Sequence, residues 1–212
     1  MPPFFILKTM KENAFNRNQQ TENNRLKIIV AIERLSTAFR FALSKESKTQ
    51  NLSPLQAQIL LFIATHAEKN CTVSCLAKEF AVTKPTISDA VAIMELKKFV
   101  QRKQCSRDAR TFFLELTSRG KSVTGNLTGI TDYFTNTLKA ANDKEISAMW
   151  GGMVSLIEKM QSNTDIPIRM CFSCRYFSKD NKKGAPHYCS LMQKPLKTDL
   201  IRIDCPEHEL HT

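Results

Sequence analysis

Between Thr72 and Leu116 the apolar residues change period, and that change restricts what the chain can fold into. Thr72 is placed to cap a short helix over 73–80, and Ala81-Val82 reads as a tight turn. Thr83 caps a second helix, with Pro85 near its first turn and Ile87, Val91, Met94 and Leu96 on its buried side. The helical period then stops. Residues 99–103 and 111–116 read as two strands, separated by the polar run 104–110. Two short helices joined by a tight turn and followed by a hairpin make a winged helix-turn-helix. Such a fold places the N-terminal residues of its second helix in a DNA major groove.

Those residues are Thr83, Lys84, Pro85, Thr86, Ser88 and Asp89, and the hairpin adds Arg102, Arg107, Asp108 and Arg110. Small hydroxyls and a lysine suit phosphates and base edges. Two arginines on a projecting loop suit the electronegative minor groove. Lys and Arg clusters alone more often make a solvated face, so the motif carries more weight than the charge. The net charge of +11 nevertheless agrees with a polyanionic partner.

Outside this motif the chain reads as mainly helical. Residues 22–43 carry Leu26, Ile29, Val30, Leu35, Phe39 and Leu43 at helical spacing. That helix is too long for a small domain to bury, so its apolar stripe suits a partner subunit. Residues 44–51 read as a polar linker, Ser53-Pro54 as the next helix start and Thr117 as the cap of one helix over 118–139. A last helix begins at Asp143, and residues 165–167 end it. The expected fold is mainly α: a winged helix-turn-helix with a two-stranded wing and long dimerisation helices, followed by a small cysteine-rich module. The expected boundaries are a flexible arm over 1–21, a DNA-binding and dimerisation domain over 22–165 and the cysteine module over 166–212.

No apolar run reaches the roughly 18–20 residues of a membrane-spanning helix, and residues 1–10 are too short for a secretory signal. A cytoplasmic protein is expected. No Ser/His/Asp set, phosphate loop, G-x-G-x-x-G or positioned carboxylate pair is present, so catalysis is not expected.

The run from Leu76-Ala77 through Val82-Thr83-Lys84-Pro85-Thr86-Ile87-Ser88, then Arg107-Asp108-Ala109-Arg110 and Leu116-Thr117-Ser118-Arg119-Gly120, resembles the MarR-type transcriptional regulators. The resemblance spans roughly residues 22–160. It implies a homodimer based on the terminal helices, with two recognition helices reading a palindromic site on double-stranded DNA. It also implies that Asp108 orients Arg110 or braces the wing, and that Arg110 contacts the minor groove. Such proteins often bind small aromatic ligands, although no residue here identifies one. One position departs: Lys98 stands where the family usually has Gly before the first wing strand. A left-handed backbone there costs a non-glycine residue about 1 kcal/mol, so a rebuilt turn and a different wing angle are expected.

Four of the seven cysteines fall in the last 47 residues, as Cys171-x2-Cys174-x14-Cys189-x15-Cys205. In a reducing compartment this is a full thiolate set rather than a disulfide framework. The segment is too short to fold on a core of its own and needs a staple. A 4Fe-4S cluster suits one close pair plus two separated cysteines. Zinc, with His187 or His208 as further ligands, is the alternative, since structural zinc prefers two close pairs. The segment also resembles the cluster-binding part of the high-potential iron–sulfur proteins in its Cys-x2-Cys, aromatic pair Tyr176-Phe177 and Leu191. It lacks their Gly-Trp before the last cysteine, where Ile203-Asp204 stand. Cys71 and Cys75 read as core, Cys105 as a thiol that nearby Arg102, Lys103 and Arg107 could activate, and His66 carries no case of its own. The resulting expectation is a DNA-binding transcriptional regulator sensing redox state or iron through its cluster. The alternatives are a regulator with structural zinc or an iron–sulfur electron-transfer accessory protein.

Overall fold

The computed structural model describes residues 13–105, 108–161, 168–179 and 186–210. Eight α-helices and two small antiparallel sheets follow in order. Helix α1 spans Arg17–Glu22, α2 Asn24–Thr49, α3 Pro54–Thr65, α4 Val73–Glu79 and α5 Lys84–Leu96. The hairpin pairs β1, Val100–Cys105, with β2, Asp108–Leu116. Helices α6 (Ser118–Gly125), α7 (Gly129–Leu138) and α8 (Asp143–Gln161) come next. Three short strands, β3 (Phe177–Lys179), β4 (His187–Cys189) and β5 (Lys194–Leu196), form a second sheet in the C-terminal segment.

The helix starts follow their caps. Ser53 and Gln56 form a reciprocal capping box at α3, with Pro54 in the first turn. Thr72 accepts from the Cys75 N–H and Thr83 from the Thr86 N–H, which fixes the starts of α4 and α5. Ile59, Leu60, Leu76, Ile87, Val91 and Met94 are wholly buried and form one core with Val100, Leu114, Leu127 and Ile130. This core sits between α3, α4, α5 and the root of the hairpin.

The structure corrects four expectations. Residues 17–22 form a helix rather than part of an arm. The expected linker over 44–51 is helical to Thr49: Ser47 is buried, and its hydroxyl donates to the Leu43 carbonyl at 2.7 Å. The stop comes instead at Asn51, which turns left-handed (φ 54°) while Leu52 donates to the Ser47 carbonyl. The single helix expected over 118–139 is broken by a 3-10 turn at Asn126–Thr128, between Gly125 and Gly129. Gly129 lies against the Glu46 carboxylate, which a Cβ would meet at 2.7 Å, so α2 holds the chain there.

The fourth correction concerns Lys98. The turn is not rebuilt, because Lys98 itself adopts the left-handed conformation (φ 59°). Its N–H donates to the Glu95 carbonyl and that of Phe99 to the Met94 carbonyl, both at 2.9 Å. These two bonds close a Schellman motif, which satisfies the last carbonyls of α5 and offsets the strain.

Helix α8 lies outside the main core. Trp150, Val154 and Ile157 pack instead on Met170, Leu196 and Ile201 of the C-terminal segment. No described helix is long and apolar enough to cross a membrane.

Candidate nucleic-acid interface and cysteine cavity

The N-terminus of α5 projects from the core on a turn fixed by backbone bonds. Ala81 is left-handed (φ 51°), its N–H donates to the Lys78 carbonyl, and that of Val82 donates to the Ala77 carbonyl. This second Schellman motif sets the angle between α4 and α5. Beyond it Thr83, Lys84, Pro85 and Thr86 are exposed and Ser88 is half-buried, while Ile87, Ala90, Val91 and Met94 anchor the opposite face. Lys84 makes no ion pair among the described residues.

The hairpin stands beside α5. Arg102 is exposed and pairs with Glu95 of α5 at 3.0 Å, tying wing to helix. Lys103 pairs with Glu68 at 2.8 Å. Two of the three cations that were to activate Cys105 are therefore committed to carboxylates. Arg107 lies outside the described residues, as do the side chains of Asp108 and Arg110. The base of the hairpin is held by Thr117, whose N–H and hydroxyl donate to the Phe99 and Lys98 carbonyls. The Thr117 hydroxyl also accepts from the Gly120 N–H at 3.0 Å and so caps α6. Gly120 is required there, because a Cβ would lie 1.9 Å from the Phe99 carbonyl oxygen.

Residues 50–111 match the MarR family model. The DNA complex of MepR from S. aureus is similar over 61% of this chain and 96% of that chain, with 21% identity and a TM-score of 0.52. MarR family regulator SP03579 is similar over 68% of this chain and 96% of that chain, with 15% identity and a TM-score of 0.59. The fold is the MarR-type winged helix. Both relatives are covered almost whole, so the remainder of this chain has no counterpart in either. No curated protein matches the chain.

Beyond the MarR-type fold, Cys171, Cys174, Cys189 and Cys205 line a single cavity of about 40 Å³ with Tyr176, Leu191 and Arg202. That room is several times the ~10–15 Å³ a single water needs. Cys171 and Cys174 are buried, and the other two are half-buried. Burial pushes the Cys171 thiol up; the Arg202 N–H, 3.2 Å from its sulfur, pulls down, and the three neighbouring thiols push up again. No group of three His, Cys, Asp or Glu among the described residues is placed to hold a single metal ion. Neither candidate zinc histidine lines the cavity. His208 is buried against the Ser173 hydroxyl at 2.8 Å, and His187 packs among Phe172 and Phe177.

The sequence carries no signal for how this segment docks. His66 Nε2 meets the Asp204 carboxylate at 2.9 Å, Lys69 pairs with Glu209, and Asn70 donates to the Pro206 carbonyl at 3.2 Å. Arg169 pairs with Glu79 at 2.7 Å and lies 5.3 Å over the Phe62 ring, which stacks on His66 at 3.8 Å. The outlying cysteines take no part: Cys71 is buried in the core and Cys75 is half-buried.

Proposed function

We propose that the protein is a homodimeric, sequence-specific DNA-binding regulator of transcription. In this reading its four C-terminal cysteines hold a 4Fe-4S cluster through which redox state or iron availability is sensed. The observation that carries the DNA reading is the presentation of α5. Its polar first turn, Thr83 to Thr86, is exposed on a rigid turn while its apolar face is locked in the core. Such a helix enters a major groove, and the hairpin then falls over the neighbouring minor groove. That MepR has been crystallised with DNA supports the same reading.

Two apolar faces support the homodimer. Helix α2 exposes Ile28, Ile29, Ile32, Leu35 and Phe39, and α8 exposes Met149, Met153, Leu156 and Met160 beside its packed face. An uncovered apolar surface on this scale suits a partner of the same kind. A second copy brings two α5 helices to half-sites one helical turn apart, about 34 Å.

Cysteine spacing favours a cluster over zinc. Structural zinc prefers two close pairs, and only Cys171 and Cys174 form one. A cubane is reached by one close pair and two separate cysteines. Iron, acid-labile sulfide and zinc assays on anaerobically purified protein test this; stoichiometric zinc without sulfide would refute it.

DNA binding is tested on genomic fragments across a salt series. Specific binding should weaken by about 0.9 log per log of salt for each phosphate contact, and Lys84→Ala should remove roughly one such contact. Absence of duplex binding at low salt would refute the regulator and favour an accessory role.

A further inference from the structure

The C-terminal segment touches two parts of the molecule that otherwise meet little. On one side it covers α8: the Trp150 indole donates to the Thr198 carbonyl at 2.9 Å, and Val154 and Ile157 pack on Met170 and Ile201. On the other it grips α3, α4 and the loop between them, through Arg169, Asp204, Pro206 and Glu209. Each gripping residue lies beside a cavity cysteine. Asp204 and Pro206 flank Cys205 directly. The Cys205 N–H donates to the Arg169 carbonyl at 2.9 Å, and Arg169 stands two residues before Cys171. Glu209 is held by the Arg175 N–H at 2.8 Å, next to Cys174.

The grip closes on the element that aims α5. Glu79 is the last residue of α4, immediately before the left-handed turn at Ala81. Its pair with Arg169 is largely shielded from solvent, with side-chain exposures of 19% and 14%. Arg169, Phe62, His66 and Asp204 form a continuous stack that returns to Arg169 through the Cys205 N–H. A displacement of Cys205 or Cys171 therefore reaches α4 through direct contacts.

We infer that the C-terminal segment is a cofactor-dependent bracket that fixes the DNA-reading head against the α8 arm. This inference rests on the cluster reading above. Four sulfurs bound to one cluster lock the chain around Cys171 and Cys205, and so lock Arg169, Asp204 and Glu209 on α3 and α4. The small apolar core around Met170, Leu196 and Ile201 holds that geometry less firmly without the cluster. The unloaded head then samples orientations of which only a fraction match both half-sites, and apparent affinity falls by that fraction. The loaded dimer binds its duplex more tightly, and the duplex in turn retains the cluster.

The experiment compares duplex affinity of the full-length dimer after anaerobic loading with iron and sulfide and after chelator treatment, at one fixed salt concentration. Iron and sulfide are counted in every sample. Wild type should show a loaded-to-unloaded affinity ratio of about tenfold or more. Glu79→Gln breaks the bracket at the reading head, and Trp150→Phe breaks it at the arm by removing the bond to Thr198. Both should load normally, yet their ratio should fall to about threefold or less. If Glu79→Gln fails to fold, as far-ultraviolet circular dichroism reports, Trp150→Phe alone decides the result.

A loaded wild type with a ratio near one, or variants that load and keep the full ratio, would overturn the bracket and leave the cluster in place. A wild type that takes up no iron and sulfide would overturn the cluster reading and the bracket with it. A loaded protein that binds no duplex in either state would overturn the regulator reading, and again the bracket.

Discussion

Gly120→Ala isolates the physical reason for the Leu-Thr-x-x-Gly run that roots the wing. The new Cβ would sit 1.9 Å from the Phe99 carbonyl oxygen and 2.9 Å from its carbon. Both are rigid backbone atoms, so the carbonyl must retreat by roughly an ångström, since Cβ contacts under 3.0 Å are essentially never seen. That carbonyl accepts from the Thr117 N–H at 3.1 Å, and losing the bond costs about 1 kcal/mol net. Forcing a methyl into packed structure costs about 1–3 kcal/mol more. Alanine returns up to about 1 kcal/mol of helix propensity in α6. The net loss is about 1–3 kcal/mol. Gly125→Ala is the matched control: it lies in the same helix, and its Cβ meets nothing within 4 Å. Urea unfolding followed by circular dichroism, at one protein concentration, should separate the two variants by about 2–4 kcal/mol. Equal stabilities would refute the close-approach argument.

Three further outcomes follow from single residues. Lys98→Gly should stabilise the fold by up to about 1 kcal/mol in the same urea assay, whereas Lys98→Ala should not, because glycine alone relieves the left-handed strain. Burial, with help from Cys75, pushes the Cys71 thiol up to about 11. Iodoacetamide at about pH 8 should therefore leave Cys71 unmodified in the folded protein and modify it in urea, as read by peptide mass spectrometry. Lys69 holds the Glu209 carboxyl below its ordinary value, with Tyr176 and Arg175 acting in the same direction. A carboxyl depressed in the folded state stabilises above its unfolded pKa and loses that contribution as pH falls through its folded one. Docking of the 204–210 strap on Lys69 should thus weaken as pH drops below about 4.5, read as faster amide exchange in residues 68–71 relative to the intrinsic rate.

The reading head was legible because its signals are local. Ser53, Thr72, Thr83 and Thr117 each cap a helix within three residues, and the change of period at Phe99 marks the hairpin. The element ends were harder to read. At Asn51 the chain turns left-handed without glycine, so the usual stop residue is missing and only the Schellman bonds reveal the turn. The docking residues were not legible at all. His66 and Asp204 are 138 positions apart, and Glu79 and Arg169 are 90 apart, so no window along the chain contains both members of either pair.

By itself the sequence determined what depends on neighbours a few residues away: the caps, the turn into α5, the two-stranded wing and the spacing of four cysteines. Tertiary structure decided what depends on distant segments meeting. It gathered four sulfurs around one cavity, turned one face of α8 onto the C-terminal segment and left the adjacent one exposed, and set Arg169 against the last residue of α4. The physical reason is the range of the forces involved. Capping bonds and helical periodicity act within a turn of chain, whereas burial and ion pairing act between whichever surfaces the packed core brings into contact.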